Sequence, residues 1–414
     1  MDIFLKRPYR VHGLLYIIFI IQGFIYNSPS EILDGLWRII ISPDILVSDY
    51  VAIGGLGAAF VNVGLAGLLA VLVLTAAKHK PSGLTIGTLG LVIGFAFFGK
   101  NPVNMLPIIF GGYLYSKYSK TPYKDCVLPS LLATCLAPVV TQPLFIPHMP
   151  APADMALGII LGLFVGFIIN PVGAAMRKFH EGYNLYNVGF AAGIIGLVLF
   201  AVFNLLGIAH DTVGIWSNGY NFELALFLFI TSAYFVICGV LSTGGKISLS
   251  ELIQISAEDN DYYKKYAEKS YIAMGMLGFA CLILMFVVGG EYSGPVLGSI
   301  LSVVGFGAFG KALLNAFTIV AGALLAAFAA SLLTDLPFNY RGFLVATFFS
   351  TCLSPLAKRF GVKWGIIAGF LHLSLAMQIG GFHGGLNLYN NGFAGGLAAI
   401  ILLPIIYFFE KREM

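Results

Sequence analysis

Phe179-His180-Glu181-Gly182-Tyr183-Asn184-Leu185-Tyr186-Asn187-Val188-Gly189-Phe190-Ala191-Ala192-Gly193 recurs 203 residues later as Phe382-His383-Gly384-Gly385-Leu386-Asn387-Leu388-Tyr389-Asn390-Asn391-Gly392-Phe393-Ala394-Gly395-Gly396, with eleven of fifteen positions identical. Glycines alone would suggest a repeated turn. Here a His, two Asn and a Tyr are kept as well, which points to a polar site assembled from two related halves.

Two further matches keep the same order in both halves. Gly94-Phe95-Ala96-Phe97-Phe98-Gly99-Lys100-x-x-x-Asn104 returns as Gly305-Phe306-Gly307-Ala308-Phe309-Gly310-Lys311-x-x-x-Asn315, and Thr134-Cys135-Leu136-Ala137-Pro138 returns as Thr351-Cys352-Leu353-Ser354-Pro355. Their offsets are 211 and 217. Three matches in one order make the chain a tandem duplication, 1–207 and 208–414.

The surroundings of these motifs are apolar. Of the 414 residues 58% are hydrophobic and only 10% charged, and the mean hydropathy is +0.90. A water-soluble surface needs roughly a quarter of residues charged, so this is a polytopic membrane protein whose first partner is the lipid bilayer. The 50 glycines suit closely packed membrane helices. The net charge of +4 is not gathered into a nucleic-acid-binding patch. Five scattered cysteines lack Cys-x-x-Cys spacing and read as packing residues.

Apolar runs of about 20 residues, enough to cross the hydrocarbon layer, fall near 11–27, 50–77, 82–99, 102–118, 124–142, 152–175 and 186–207. A second set falls near 222–243, 270–290, 294–310, 312–333, 342–357, 363–380 and 392–409. Alternating across the bilayer, these segments leave 20 Lys and Arg on the side of the amino terminus and three, Arg38, Lys100 and Arg341, on the other. That asymmetry predicts that both termini are cytoplasmic. Seven crossings per half is odd, so the second half is expected upside down relative to the first. The expected fold is therefore all-α, with about 14 transmembrane segments in two inverted seven-segment repeats that include broken or re-entrant helices. A cytoplasmic linker with a short surface helix is expected over 244–269, and an amphipathic helix on the outer face within 28–49.

The third motif supports two readings. As a cap and turn it needs its glycines and one Asn, with Asn187 and Asn390 opening the final helix of each half. As a broken helix dipping into the membrane, it would offer Asn184, Tyr186 and Asn187, with Asn387, Tyr389 and Asn390, to a small polar solute. His180 and His383 lack carboxylate or cysteine neighbours at metal-ligand spacing and are either loop histidines or gating groups, one on each face. Lys100 and Lys311 are either snorkelling anchors or functional groups that attract an anion or hold a polar network with Asn104 and Asn315. Asn62, deep in an apolar segment, requires a partner and serves as interhelical glue or solute contact. Asp49, Asp154, Glu223 and Glu291 fall near segment ends, and the absence of a mid-span carboxylate speaks against a carboxylate-driven pump. Phosphate-loop, dinucleotide and zinc-protease motifs are missing, so no cofactor or metal and no catalytic residue is expected.

The combination of Gly99-Lys100-Asn101-Pro102 with the two copies of the long motif resembles a family of bacterial multi-pass membrane proteins described only as a domain of unknown function. The resemblance spans most of the chain and implies an inner-membrane protein. Shorter elements, Asn101-Pro102, Gly182-Tyr183-Asn184 and Pro138-Val139-Val140-Thr141-Gln142-Pro143, are similar to motifs of urea transporters. Their order differs and the second half lacks Pro-x-x-Thr-x-Pro, so this likeness implies only a small, neutral solute. The expected function is a transporter or facilitator for a small polar solute through a central site, with homo-oligomeric assembly left open. The alternative is a membrane-embedded enzyme or scaffold acting on lipid-linked substrates, with His180 or His383 as base.

Overall fold

The computed structural model describes residues 7–209, 212–244 and 261–410. The chain forms α1 (Pro8–Tyr26), α2 (Pro29–Ile40), α3 (Tyr50–Gly54), α4 (Leu56–Ala76), α5 (Gly83–Phe95), α6 (Pro102–Tyr118), α7 (Tyr123–Ala133), α8 (Pro138–Thr141), α9 (Ala151–Met176) and α10 (Asn187–Leu205). These are followed by α11 (Asn221–Ser242), α12 (Tyr262–Tyr266), α13 (Lys269–Val287), α14 (Gly294–Gly305), α15 (Leu313–Ser331), α16 (Arg341–Ser350), α17 (Ser354–Phe382) and α18 (Asn390–Glu410). Among the described residues there is no strand, only three isolated bridges. The expected linker over 244–269 lies mostly outside the described residues; α12 forms at its end.

Every expected apolar segment falls on helix, but not every one is a full crossing. Among the described residues nine helices are long and apolar enough to span a membrane, or ten if the bent pair Tyr123–Leu136 and Pro138–Phe145, which meet at 56°, counts as one. Gly83–Phe95 and Gly294–Ala308 are shorter. At 1.5 Å per residue α5 reaches only about 20 Å, short of the ~30 Å hydrocarbon layer. Two other expected segments run together over Arg341–Phe382. Within that run, Thr351–Leu353 tightens to a 3₁₀ turn, and Gly361 with φ of 86° breaks α17. Membrane insertion therefore rests on long apolar helices interrupted by short and broken ones.

The packing is reciprocal. α1 lies along α4 and α11 along α13; α6 lies along α9 and α15 along α17; α5 crosses α14, and α10 crosses α18. At the α5–α14 crossing a Cβ on Gly94 would stand 2.4 Å from the Gly298 carbonyl oxygen, and one on Gly298 would stand 2.2 Å from that of Gly94. Gly90 meets Gly305 farther along, so the two short helices run antiparallel. Only glycine permits backbones this close. Each of these helices is also capped by an aspartate from the opposite half. Asp261 Oδ1 accepts from Gly83 N at 2.8 Å and Asp49 Oδ2 from Gly294 N at 3.1 Å.

Candidate functional site

The Gly-Lys turns after α5 and α14 set the geometry. Gly99 and Gly310 both have φ of 79°, which a side chain would strain, and both carry a leucine from the other half. A Cβ on Gly99 would lie 2.4 Å from Leu388 Cδ2, and one on Gly310 2.7 Å from Leu185 Cδ2. Leu185 N donates to the Cys352 carbonyl and Leu388 N to the Cys135 carbonyl, each at 3.0 Å. All three repeated motifs thus meet, twice, around one centre.

Asn184 and Asn387 shape the chain before α10 and α18. Each side-chain oxygen accepts from the backbone N–H two residues on, Tyr186 and Tyr389, at 3.0 Å. Asn184 Nδ2 also donates to Gly392 O at 2.9 Å, whereas Asn387 Nδ2 is buried without a partner among the described residues. These Asx turns bring the two tyrosines together with ring centroids 4.7 Å apart.

Two buried lysines flank the tyrosines. Lys311 Nζ donates to the Tyr186 hydroxyl and lies 4.6 Å from the centre of that ring and 5.2 Å from that of Phe306. The hydroxyl continues to Ser302 Oγ at 3.0 Å, which donates to Ser299 O at 2.6 Å. On the other side Lys100 Nζ lies 5.1 Å from the Phe95 ring centre, and Phe95 meets Tyr389 edge to face at 5.0 Å. Lys100 is 1% exposed and Lys311 0%. Neither takes part in an ion pair among the described residues, in contrast to Arg341, which pairs with Glu291.

The other expected residues have definite places. Asn104 and Asn315 cap helices: their oxygens accept from Asn101 N at 2.9 Å and Ala312 N at 2.7 Å, and their amides donate to Gly99 O and Gly310 O, both at 3.2 Å. Asn62 Nδ2 donates to Ala96 O at 2.8 Å and Lys100 O at 2.9 Å, holding the first turn from α4. Asn187 joins His180 Nε2 at 2.8 Å to Gly173 O at 3.0 Å, and Asn390 accepts from its neighbour Asn391 at 2.8 Å. His180 and His383 are fully buried. Burial lowers the pKa of His180, which the Asn187 contact opposes, and it pushes His383 down to about 4. His383, packed 5.1 Å from the Phe393 ring centre, is therefore neutral near pH 7.

Two cavities approach the centre. One of about 440 Å³ is lined by Asn170, Arg177, His180, Asn184, Asn187 and Phe309. The other, of about 180 Å³, is lined by Phe98, Phe349, Met377, Leu388, Asn390 and Asn391. Each contains one copy of the long motif and one phenylalanine that precedes a Gly-Lys turn.

Sequence reading missed Asp44 and placed Asp49 near a segment end without foreseeing its burial. Both are fully buried, because the segment between α2 and α3 folds inward. Asp44 accepts from Ser42 Oγ at 2.9 Å, Asn104 Nδ2 at 3.0 Å and the Tyr50 hydroxyl. Asp49 accepts from Val51 N and Ser217 N at 2.9 Å and from Ser217 Oγ at 2.7 Å, besides capping α14. A faint signal existed, since Asp49-Tyr50 recurs as Asp261-Tyr262. Among the described residues no group of His, Cys, Asp and Glu could hold a metal.

No match was found among curated proteins or among solved structures, so the likeness to urea transporters and the neutral solute it implied gain no support. A family model described as "Protein of unknown function (DUF1576)" matches residues 28–205 and 246–408, and the chain belongs to that family of proteins of unknown function.

Proposed function

We propose that this membrane protein is a transporter for a small polar solute. Its halves, 1–207 and 208–414, would be inverted repeats, both termini would face the bacterial cytoplasm, and the solute site would lie where the two long motifs meet. One observation carries the reading: each copy of the long motif docks on the Gly-Lys turn of the opposite half, and each docking leaves a cavity beside it. Irregular backbone and polar side chains are tolerated at such depth chiefly where they line a solute pathway. The inequality of the cavities, about 440 against 180 Å³, favours a carrier over a channel. A carrier closes one vestibule while the other is open, and the Tyr186–Tyr389 contact would be its barrier.

Asn170→Cys and Met377→Cys, one in each cavity, test the arrangement with a membrane-impermeant maleimide applied to right-side-out and inside-out vesicles. The five native cysteines are buried. Each new thiol should react from one face only, and the two faces should differ; reaction of both from the same face would remove the inverted pathway. Asn187→Ala and Asn390→Ala should also lose solute uptake while still inserting in the membrane.

A further inference from the structure

The centre holds several buried donors without partners among the described residues. Lys311 spends one of its three N–H groups on Tyr186, and no hydrogen bond from Lys100 Nζ is found among the described residues. The Tyr389 hydroxyl and Asn387 Nδ2 are buried and unpartnered there as well. The buried carboxylates Asp44 and Asp49 are engaged with Ser42, Tyr50 and Asn104 and with Val51, Ser217 and Gly294, and neither forms an ion pair with either lysine. A cation out of water without a counter-charge is strongly disfavoured, and aromatic faces recover only a small part of that cost. Two buried lysines without a counter-charge, at matching positions of a duplicated chain, require a common explanation.

A structural tether accounts for one of them. Lys311, bonded through Tyr186 to Ser302, does hold α14 to the start of α10. Lys100 is its sequence counterpart; it lies over Phe95, which packs on Tyr389, and it has closed on nothing equivalent. A ligand carrying two or more acceptor oxygens and negative charge would satisfy Lys100, Tyr389 and Asn387 together.

We infer that Lys100 and Lys311, with the Tyr389 hydroxyl and the Asn387 side-chain amide, bind a small oxyanion, a carboxylate or a phosphate, at this centre. The inference deepens the transport reading by naming its substrate class. Binding itself does not depend on that reading.

Full-length protein in detergent, titrated with acetate, succinate and inorganic phosphate, tests the site through Tm. Chloride at matched ionic strength is the baseline and urea the neutral probe. At least one oxyanion should raise Tm saturably above chloride, and which one does so separates carboxylate from phosphate. Lys100→Met and Lys311→Met should each raise the half-saturating concentration at least tenfold, whereas Lys100→Arg retains binding. Without ligand, Lys100→Met should be at least as stable as the wild type, which a structural lysine would not allow. The site is overturned if no oxyanion exceeds chloride, if both methionine variants bind as before, or if urea is the probe that acts through the lysines. Proteoliposome uptake of the same radiolabelled probes separates the two readings. Lysine-dependent oxyanion binding without uptake keeps the site and removes the transporter; uptake of urea without oxyanion binding does the reverse.

Discussion

Tyr186 and Tyr389 occupy matching places in the two motifs, yet their hydroxyl groups have different surroundings. That of Tyr186 accepts from Lys311 and continues to Ser302, whereas that of Tyr389 is buried without a partner among the described residues. Removing one member of a buried hydrogen-bonded chain leaves the other unsatisfied, at a cost of about 1–3 kcal/mol and more for a charged group. Deleting an unpartnered hydroxyl removes a desolvation penalty instead. Tyr186→Phe should therefore lower Tm in detergent by several degrees, and Tyr389→Phe should leave it unchanged or slightly higher. Equal losses in the two variants would mean that the two hydroxyls share one environment. The asymmetry matters because a two-sided site can hold one half engaged and the other free, which two identical half-sites cannot.

At the scale of elements, the short helices α5 and α14 bring the two turns to one centre, and their crossing fixes the spacing. Gly94→Ala would place a methyl group 2.4 Å from the Gly298 carbonyl oxygen, a backbone atom that cannot swing aside. Overpacking of this kind costs about 1–3 kcal/mol, so the variant should lose Tm and accumulate poorly in membranes. Gly13→Ala in α1 is the control: nothing lies within 4 Å of its Cβ, and the higher helix propensity of alanine makes it neutral or mildly stabilising. Indistinguishable Tm values for the two would contradict this crossing. The helices themselves were legible in the sequence, since runs as apolar as Leu56–Ala76 have no other stable form in lipid. The repetition of the three motifs was legible too, but not their meeting, because a common order along the chain says nothing of contact. The length of α5 was not, because a 13-residue buried helix followed by an apolar turn reads like one continuous span. Nor was the burial of Asp44, since nothing local says that a polar loop folds inward. Asn104 was half legible: Asn101-x-x-Asn104 has the spacing of a reciprocal helix cap, and the structure spends both side chains on that cap.

At the scale of the whole molecule, neither half is complete alone. Asp49 needs Ser217 and Gly294 from the second half, α5 needs the cap from Asp261, and α1 meets α11 through Phe19 and Phe227 at 4.3 Å and through the Tyr234 hydroxyl on Val11 O at 2.6 Å. Separated, residues 1–207 would expose a glycine-lined face of α5 and leave a buried carboxylate without three of its four donors. Membrane helices associate through close packing and buried hydrogen bonds rather than through exclusion of water, so the lost contacts have no replacement in lipid. Expressed singly, the fragments 1–207 and 208–414 should insert and then be degraded. Expressed together from separate messages, they should accumulate and copurify through a tag on either one, and Asp49→Ala in the first fragment should weaken that copurification more than Gly13→Ala does. A stable, monodisperse first fragment would show that the interface between the halves is dispensable, and a site shared across it would then lose its foundation.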